Sequence, residues 1–419
     1  MKKFILAIVL LLSFQMVNSQ NLAEIYKKSK VILEEDPTFG VNNDWEQVFY
    51  DVGATRDQGM DGMNKAIVVA PDGTIFMSHH SRHSISVFDK DGNYVRDFGK
   101  KGGKESDFIY RPTVIGIMDG KTLVTTAVDG RMLLFDLNGN WVKTVRLDFM
   151  PLDNVILKNR KIAILGHTSW TTKFRSFVAI KDIETGKEKI AWDKFSEGVG
   201  SKEIVVKYKE GGMSSQSLPY THSGYTRPKL LETPDGNLAL VFPDTGEVII
   251  YSPEGEKLRT FSVSAGPRLE VTQQDREEYY KKALEGIKSM EQAKEKADEK
   301  QKSYLEQTIA QTKEQVKKYL DPSLYPEKLP TLSQVMFDSD NNLLVYSFTK
   351  SKGENQFWIY TYSPEGQKIA ESSFVSDKYD LNFSSSKFQF FKGNIIAVQT
   401  LADQKTEVPI RLVKFNLKN

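Results

Sequence analysis

The chain contains no cysteine in 419 residues. That excludes disulfides, thiol chemistry and cysteine-based metal centres, and it excludes a lipid-modified cysteine behind a leader. A chain outside the cytosol without disulfides must hold together by its core, and about 400 residues are enough to bury one. Charge of one sign is also lacking. There are 57 basic and 55 acidic residues, with no strongly basic arm, so the electrostatic footprint of nucleic-acid binding is absent. Long apolar runs are missing except one, Phe4 to Phe14, which only Ser13 interrupts. It is shorter than the roughly 20 residues that span a bilayer. Lys2 and Lys3 precede it and Val17-Asn18-Ser19 follows it, the pattern of a secretory signal peptide over residues 1–19, cleaved after Ser19. The expected location is periplasmic or extracellular, not as a lipoprotein, with no membrane span after cleavage. Without Lys2 and Lys3 the exported chain has 55 basic and 55 acidic residues.

What the chain does have is internal repetition. Ala66 to Gly99 reads as four short strands separated by turns, with Asp72-Gly73 at the first turn and Asp91-Gly92 at the third. Both dipeptides tolerate the positive φ of tight hairpins. Gly73 and Gly92 are 19 residues apart, as are Gly120 and Gly139, and Gly236 and Gly255. The strand before the third turn recurs as SISVFD, RMLLFD and EVIIYS, and more loosely as FVAIKDIETG, ending at Gly186, and FWIYTYSPEG, ending at Gly366. Prolines 112, 151, 228 and 330 stand just before the first strand of a unit, where a residue without a donor is acceptable. One such unit cannot bury both faces of its sheet; units of about 40 residues solve this by packing radially as blades. The expected fold is all-β: a six-bladed β-propeller of four-stranded antiparallel blades over residues 20–419. The sixth blade, from about Lys387, lacks a fourth strand, and Trp45 to Gly53 (WEQVFYDVG) is expected to supply it and close the ring.

Residues 66–112 resemble an NHL-type repeat, through Phe88-Asp89-Lys90-Asp91-Gly92, then Phe98-Gly99-Lys100-Lys101-Gly102, then Phe108 and Arg111-Pro112. The exported chain as a whole is similar to the exported six-bladed propeller proteins of Bacteroidetes-type bacteria, many with a Lys/Glu-rich helical insert. That resemblance implies a fold and an exported location but no reaction.

Residues 272–320 break the β pattern between the fourth and fifth blades. Thr272 and Asp275 form a variant capping box. Tyr280, Leu284, Ile287, Met290, Ala293 and Ala297 keep helical spacing, as do Leu305, Ile309, Val316 and Leu320. A single helix of this length would run about 70 Å, so a helical hairpin turning near Ala297–Lys302 is expected. Its one apolar stripe is read first as internal packing and second as a docking face.

The loops joining second to third strands share a face with the connections between blades, and all five histidines fall in these segments. His80, His167 and His222, with Tyr220 as an acid or base, are the catalytic candidates, and the three histidines are the metal candidates for a divalent ion. His79, His83, Arg82, Arg111, Arg227 and Trp170 are the ligand-binding candidates, by anion pairing or stacking. The competing reading is that histidines simply favour loops; His-His-x-x-His is no zinc signature and carries no acidic neighbour. Other motifs fail. Asp89 and Asp136 open calcium-loop fragments, but neither has a Glu twelve positions on, and both sit at hairpin turns. The run from Gly99 to Lys104 imitates a phosphate loop, but its first glycine is one residue late and Glu105 replaces the Ser or Thr. No Gly-x-Ser-x-Gly elbow occurs. The expectation is a non-catalytic scaffold that binds a protein, peptide or glycan through its loop-rich face, with no cofactor and no nucleic acid. The alternative is a propeller-type lyase or hydrolase with a histidine or metal centre at the channel mouth.

Overall fold

A computed structural model describes residues 21–49, 67–78, 82–110, 112–126, 130–149, 151–168, 173–197, 203–207, 213–217, 227–347, 356–381, 383, 387–402 and 408–418. The signal segment, residues 1–19, lies outside the described residues. The chain opens with a short helix α1 (Leu22–Tyr26), strand β1 (Lys30–Glu35) and a second short helix α2 (Trp45–Phe49). Four four-stranded antiparallel sheets follow. The first is β2 (Ile67–Val69), β3 (Ile75–Ser78), β4 (Ile85–Phe88) and β5 (Tyr94–Phe98); the second is β6 (Thr113–Met118), β7 (Thr122–Thr126), β8 (Arg131–Asp136) and β9 (Trp141–Arg146). The third is β10 (Asp153–Leu157), β11 (Lys161–Thr168), β12 (Lys173–Asp182) and β13 (Glu188–Glu197). A separate hairpin, β14 (Glu203–Lys207) and β15 (Met213–Ser217), precedes the fourth sheet of β16 (Lys229–Glu232), β17 (Leu238–Phe242), β18 (Glu247–Tyr251) and β19 (Lys257–Ser262).

The turns carry the repeat in the way the sequence implies. Gly92 has φ +79° and Gly139 φ +80°, values that glycine adopts without a Cβ penalty. The Asp89 carboxylate accepts the amides of Asp91 (3.0 Å) and Asn93 (2.8 Å). Asp136 accepts that of Asn140, and Asp338 that of Asn342, each at 2.8 Å. These acids are therefore turn formers that mimic a backbone acceptor. The phosphate-loop imitation is likewise folded on itself: Lys104 N–H donates to Asp107 Oδ2 (3.1 Å), Gly102 N–H donates to Phe108 O (3.3 Å), and Phe108 is buried.

Burial grades across each sheet. In the first, β2, β3 and β4 are buried throughout, whereas β5 alternates between exposed and half-buried. Apolar clusters then join each sheet to the next. Val68, Phe76 and Val87 meet Val114, Leu123 and Leu133; Val124 and Leu134 meet Ile156 and Ile164; Val155 and Ile180 meet Leu230 and Leu240. The last cluster brings Ile67, Ile75 and Met77 against Ile396, Val398 and Leu412, so the first sheet packs on the C-terminal strands. Face-to-face packing of four-stranded sheets in sequence, returning to the start, is a β-propeller.

The remaining strands form one nine-stranded sheet. They are β20 (Gln334–Phe337), β21 (Leu343–Tyr346), β22 (Gln356–Tyr362), β23 (Lys368–Val375), β24 (Tyr379–Asp380), β25 (Phe388–Phe391), β26 (Asn394–Leu401) and β27 (Ile410–Lys418), with β1 between β23 and β27. β1 runs parallel to β23, Val31 opposite Phe374, and antiparallel to β27, Leu33 opposite Leu417. This corrects the expected closing segment. Trp45–Phe49 is a helix, not a strand; Asp44 Oδ1 accepts the amides of Glu46 and Gln47 at 3.1 Å, an N-cap that starts a helical turn. The strand that joins the C-terminal sheet is Lys30–Glu35.

Between β19 and β20 lie helices α3 (Gln273–Glu295) and α4 (Glu299–Gln315). Thr272 and Asp275 make the reciprocal capping box. The break falls at Lys296–Asp298, where Asp298 caps α4. Ile287, Ile309, Val316 and Tyr319 form a small core between the helices, and Lys313 pairs with Glu291 (2.6 Å) and Lys294 with Glu306 (3.4 Å), which makes the pair antiparallel. α4 packs along β14.

The turn glycines also fit one sheet to the next. A Cβ on Gly139 would lie 2.7 Å from the Phe98 ring of the preceding sheet. Gly139→Ala combines that clash with a strained φ and is expected to cost about 1–3 kcal/mol in urea denaturation. Gly103→Ala, which meets open space, should stay within about 0.5 kcal/mol of wild type. Equal effects of the two would contradict this packing.

Candidate binding site at the start of the inner strands

The innermost strands β2, β6, β10, β16 and β20 neighbour one another around the centre. In the four-stranded antiparallel sheets each inner strand begins on the face that carries the connections between sheets, and β20 likewise follows the connection from β19. Thr113, Asp153, Lys229 and Gln334 are the first residues of β6, β10, β16 and β20. They sit after prolines 112, 151, 228 and 330, respectively at distances of one, two, one and four residues.

Three of these come together across three neighbouring sheets. Lys229 Nζ donates to Gln334 Oε1 (2.9 Å) and to the Ser333 carbonyl (3.0 Å). Leu230 N–H donates to Asp153 Oδ2 (3.2 Å), and Asn154 N–H to Asp153 Oδ1 (2.8 Å). Lys229 is half-buried as a residue, but its ammonium end is enclosed by protein. That loss of hydration pulls its pKa down from 10.5 to about 8, partly opposed by the Asp153 charge. Arg227, two residues earlier, is depressed by the same burial and steadied by the same Asp153. Among the described residues, Lys229 and Arg227 lie near the Asp153 carboxylate where the inner strands begin. The cluster can hold an anionic group, and Lys229 can gain or lose a proton close to neutral pH.

Of the residues singled out in the sequence, Arg227 is the one placed in this cluster. Arg82 is engaged elsewhere: it donates to the Val48 carbonyl of α2 (3.0 Å) and pairs with Asp97 of the outermost strand β5 (3.5 Å). His83 is half-buried in the connection between β3 and β4. His167 is not in a turn; β11 continues to Thr168, and His167 pairs in register with Ser176. His79, His80, Arg111, Trp170, Tyr220 and His222 lie outside the described residues. Among the described residues no group of three or more His, Asp or Glu is placed to hold a metal, and no helix is long and apolar enough to cross a membrane. Asp153, Lys229 and Gln334 escaped the sequence reading, although the prolines before the sheets marked where they would lie.

No protein-family model matches the sequence, and no curated protein matches it. Solved structures are similar in the course of the chain. One is a protein described as exported from Bacteroides fragilis, with TM-score 0.46 and 10% identity over 85% of this chain and 90% of that one. Another is a member of the DUF4221 family from Bacteroides vulgatus, with TM-score 0.45 and 10% identity over 94% and 99%. A third is virginiamycin B lyase from Staphylococcus aureus, with TM-score 0.40 and 10% identity over 93% and 100%. The propeller assignment rests on the strand pairing itself.

The Lys229 amine is expected to titrate near pH 8 in competitive amine labelling, and Asp153→Asn should move its midpoint lower by removing the charge that favours the protonated form. The folded-state pKa lies below the unfolded one, so the unfolded chain binds the extra proton between about 8 and 10.5. Stability should therefore rise with pH across that window in wild type relative to Lys229→Met. A flat difference would contradict the enclosure of this amine.

Proposed function

We propose that the chain is an exported, six-bladed propeller that works as a binding scaffold for a protein, peptide or glycan. In this reading the nine-stranded sheet is two blades joined along their outer edges, β20–β23 as the fifth and β25, β26, β27 and β1 as the sixth. Export follows from the signal pattern over residues 1–19. The observation that carries the binding function is the convergence of Arg227, Lys229, Asp153 and Gln334 at one end of the channel. The hairpin β14–β15 and the helical pair, which lie in the two long connections, meet where α4 packs along β14. A rigid ring with charged groups at one mouth and an elaborated rim suits capture of a partner. The lyase or hydrolase alternative needs His80, His167 and His222 to converge.

The test is binding of the exported chain to immobilised peptide and glycan libraries, compared with an Arg227→Gln/Lys229→Met double variant of matched melting temperature. Selective binding that falls at least tenfold in the double variant is expected. Equal binding by both proteins would move the site away from the channel mouth, and turnover of a bound glycan or peptide that is lost in His80→Ala and His167→Ala would favour the enzyme.

A further inference from the structure

We infer that Lys229 captures aldehydes: its amine adds to the carbonyl carbon of a small hydroxyaldehyde or an open-chain reducing sugar and holds it as a reversible imine. This goes beyond the scaffold reading and stands without it. The geometry begins with the acceptors. Lys229 Nζ lies 2.9 Å from Gln334 Oε1 and 3.0 Å from the Ser333 carbonyl, both at the start of β20 and both uncharged. Lys161 and Lys313, by contrast, pair with Glu254 (2.9 Å) and Glu291 (2.6 Å). A carboxylate favours the ammonium form, whereas a carbonyl oxygen accepts from the neutral amine as well. Lys229 forms no ion pair among the described residues. An amine nitrogen is tetrahedral, with the side chain at one corner and here two hydrogens given to Gln334 and Ser333. The fourth corner holds the third hydrogen of the ammonium or, in the neutral amine, the lone pair that attacks a carbonyl carbon.

The site is open on the side that matters. Lys229 is half-buried rather than sealed. The Gln334 amide nitrogen has no acceptor among the described residues and is not one of the buried polar atoms without a partner, so solvent reaches the group that holds the amine. Those amide hydrogens suit a hydroxyl beside the carbonyl, which selects a hydroxyaldehyde. Enclosure then frees the lone pair. Poor hydration brings the amine to about 8 against the pull of the Asp153 charge, so about 10% of it is neutral at pH 7, against about 0.03% for an ordinary lysine. A desolvated lysine is a competent nucleophile toward carbonyl compounds. The nitrogen bonds to the aldehyde carbon, the carbonyl π electrons move to oxygen, and one proton passes from nitrogen to that oxygen. The carbinolamine then expels its hydroxyl, which leaves with a proton as water. The protonated imine keeps one N–H, which Gln334 or Ser333 accepts. Capture consumes one aldehyde and releases one water, needs no oxidant or reductant, and reverses by hydrolysis. Gln334 is a positioning residue.

The experiment traps the imine in the full exported chain. Protein at pH 7 is incubated with glycolaldehyde, with D-ribose or with methyl β-D-riboside, which has no free aldehyde. Sodium cyanoborohydride is present and delivers hydride to the iminium carbon, leaving a stable secondary amine. Peptide mass spectrometry reads the adduct at Lys229 against the exposed Lys100 and Lys288. The expected result is trapping at Lys229 roughly tenfold or more faster than at either reference lysine, with no adduct from the riboside. Removing the aldehyde before the hydride donor is added should return the unmodified mass. The faster of the two aldehydes identifies the source of the carbonyl. Gln334→Glu sets a carboxylate against the amine and should slow trapping at Lys229 roughly tenfold or more, with Lys100 and Lys288 unchanged. Trapping at Lys229 no faster than at the reference lysines in a folded protein would overturn the inference, as would trapping that Gln334→Glu leaves unaltered. Rapid acylation of Lys229 by acetic anhydride with no trapping by either aldehyde would overturn it too, since the amine would then be reactive but closed to a carbonyl ligand.

Discussion

The C-terminal sheet is held together by six residues from near the start of the chain, which fill the gap between two of its strands. β23 and β27 would each present an unpaired row of amides and carbonyls, the feature that drives edge-to-edge association. β1 lies between them and pairs with both. Charge reinforces the register: Glu34 pairs with Lys418, Glu35 with Lys378, and Asp36 with Lys414, while Tyr379 donates its hydroxyl proton to Glu35 at 2.6 Å. These exposed or half-exposed pairs are individually weak; their value is in selecting one alignment of an acidic strand among basic neighbours. The apolar side of the same segment does the heavier work. Val31 and Leu33, with Leu22 and Tyr26 of α1, are buried in the core of the nine-stranded sheet, and the aliphatic side chains among them are worth roughly 1.5–3 kcal/mol of burial each.

The site inherits its geometry from that closure. Lys229, Asp153 and Gln334 belong to three different sheets, so their distances are fixed only while the sheets pack at constant angles around the centre. The side chains that set those angles are remote from the site, among them Phe98 under Gly139 and Phe261 under Gly366. Local strand pairing, which holds Asp153, Lys229 and Gln334 in register, and the packing of sheet on sheet therefore both act on the cluster. The same dependence explains how Lys229 can be held in an enclosed position with uncharged acceptors: the backbone of the adjoining connection, ending at Ser333, is placed for it.

The repeat made the sheets legible, because a 19-residue spacing of turn glycines with an apolar strand between them specifies a four-stranded unit wherever it recurs. The helical pair was equally readable, from its cap at Thr272 to its spacing of apolar residues. The closing strand was not. WEQVFYDVG is rich in aromatic and β-branched residues, as strands are, although Trp45, Val48 and Phe49 fall at helical spacing, whereas KVILEE ends in charge and looks like a boundary. What decides between them is the set of lysines on distant strands that receives Glu34, Glu35 and Asp36, and no local pattern displays it. The site was half legible for a similar reason. Arg227 stood out as a basic residue in a long connection, but a single lysine at the start of a strand reads as solvated surface. Only the neighbouring sheets show that Lys229 points into protein, and only burial then gives its amine an unusual proton affinity.

Amide hydrogen exchange across β1 tests the closure most directly, since it needs no substitution and reads the backbone pairing itself. If β1 completes the ring, the amides of Val31 to Glu35 exchange as slowly as those of Ile395 to Val398 in β26, on the far side of β27, and the two segments lose protection together in a single step with denaturant. Exchange of Val31 to Glu35 at the rate of an exposed loop, with Ile395 to Val398 still protected, would show that the sheets hold together without the N-terminal strand and that the ring is closed by something else.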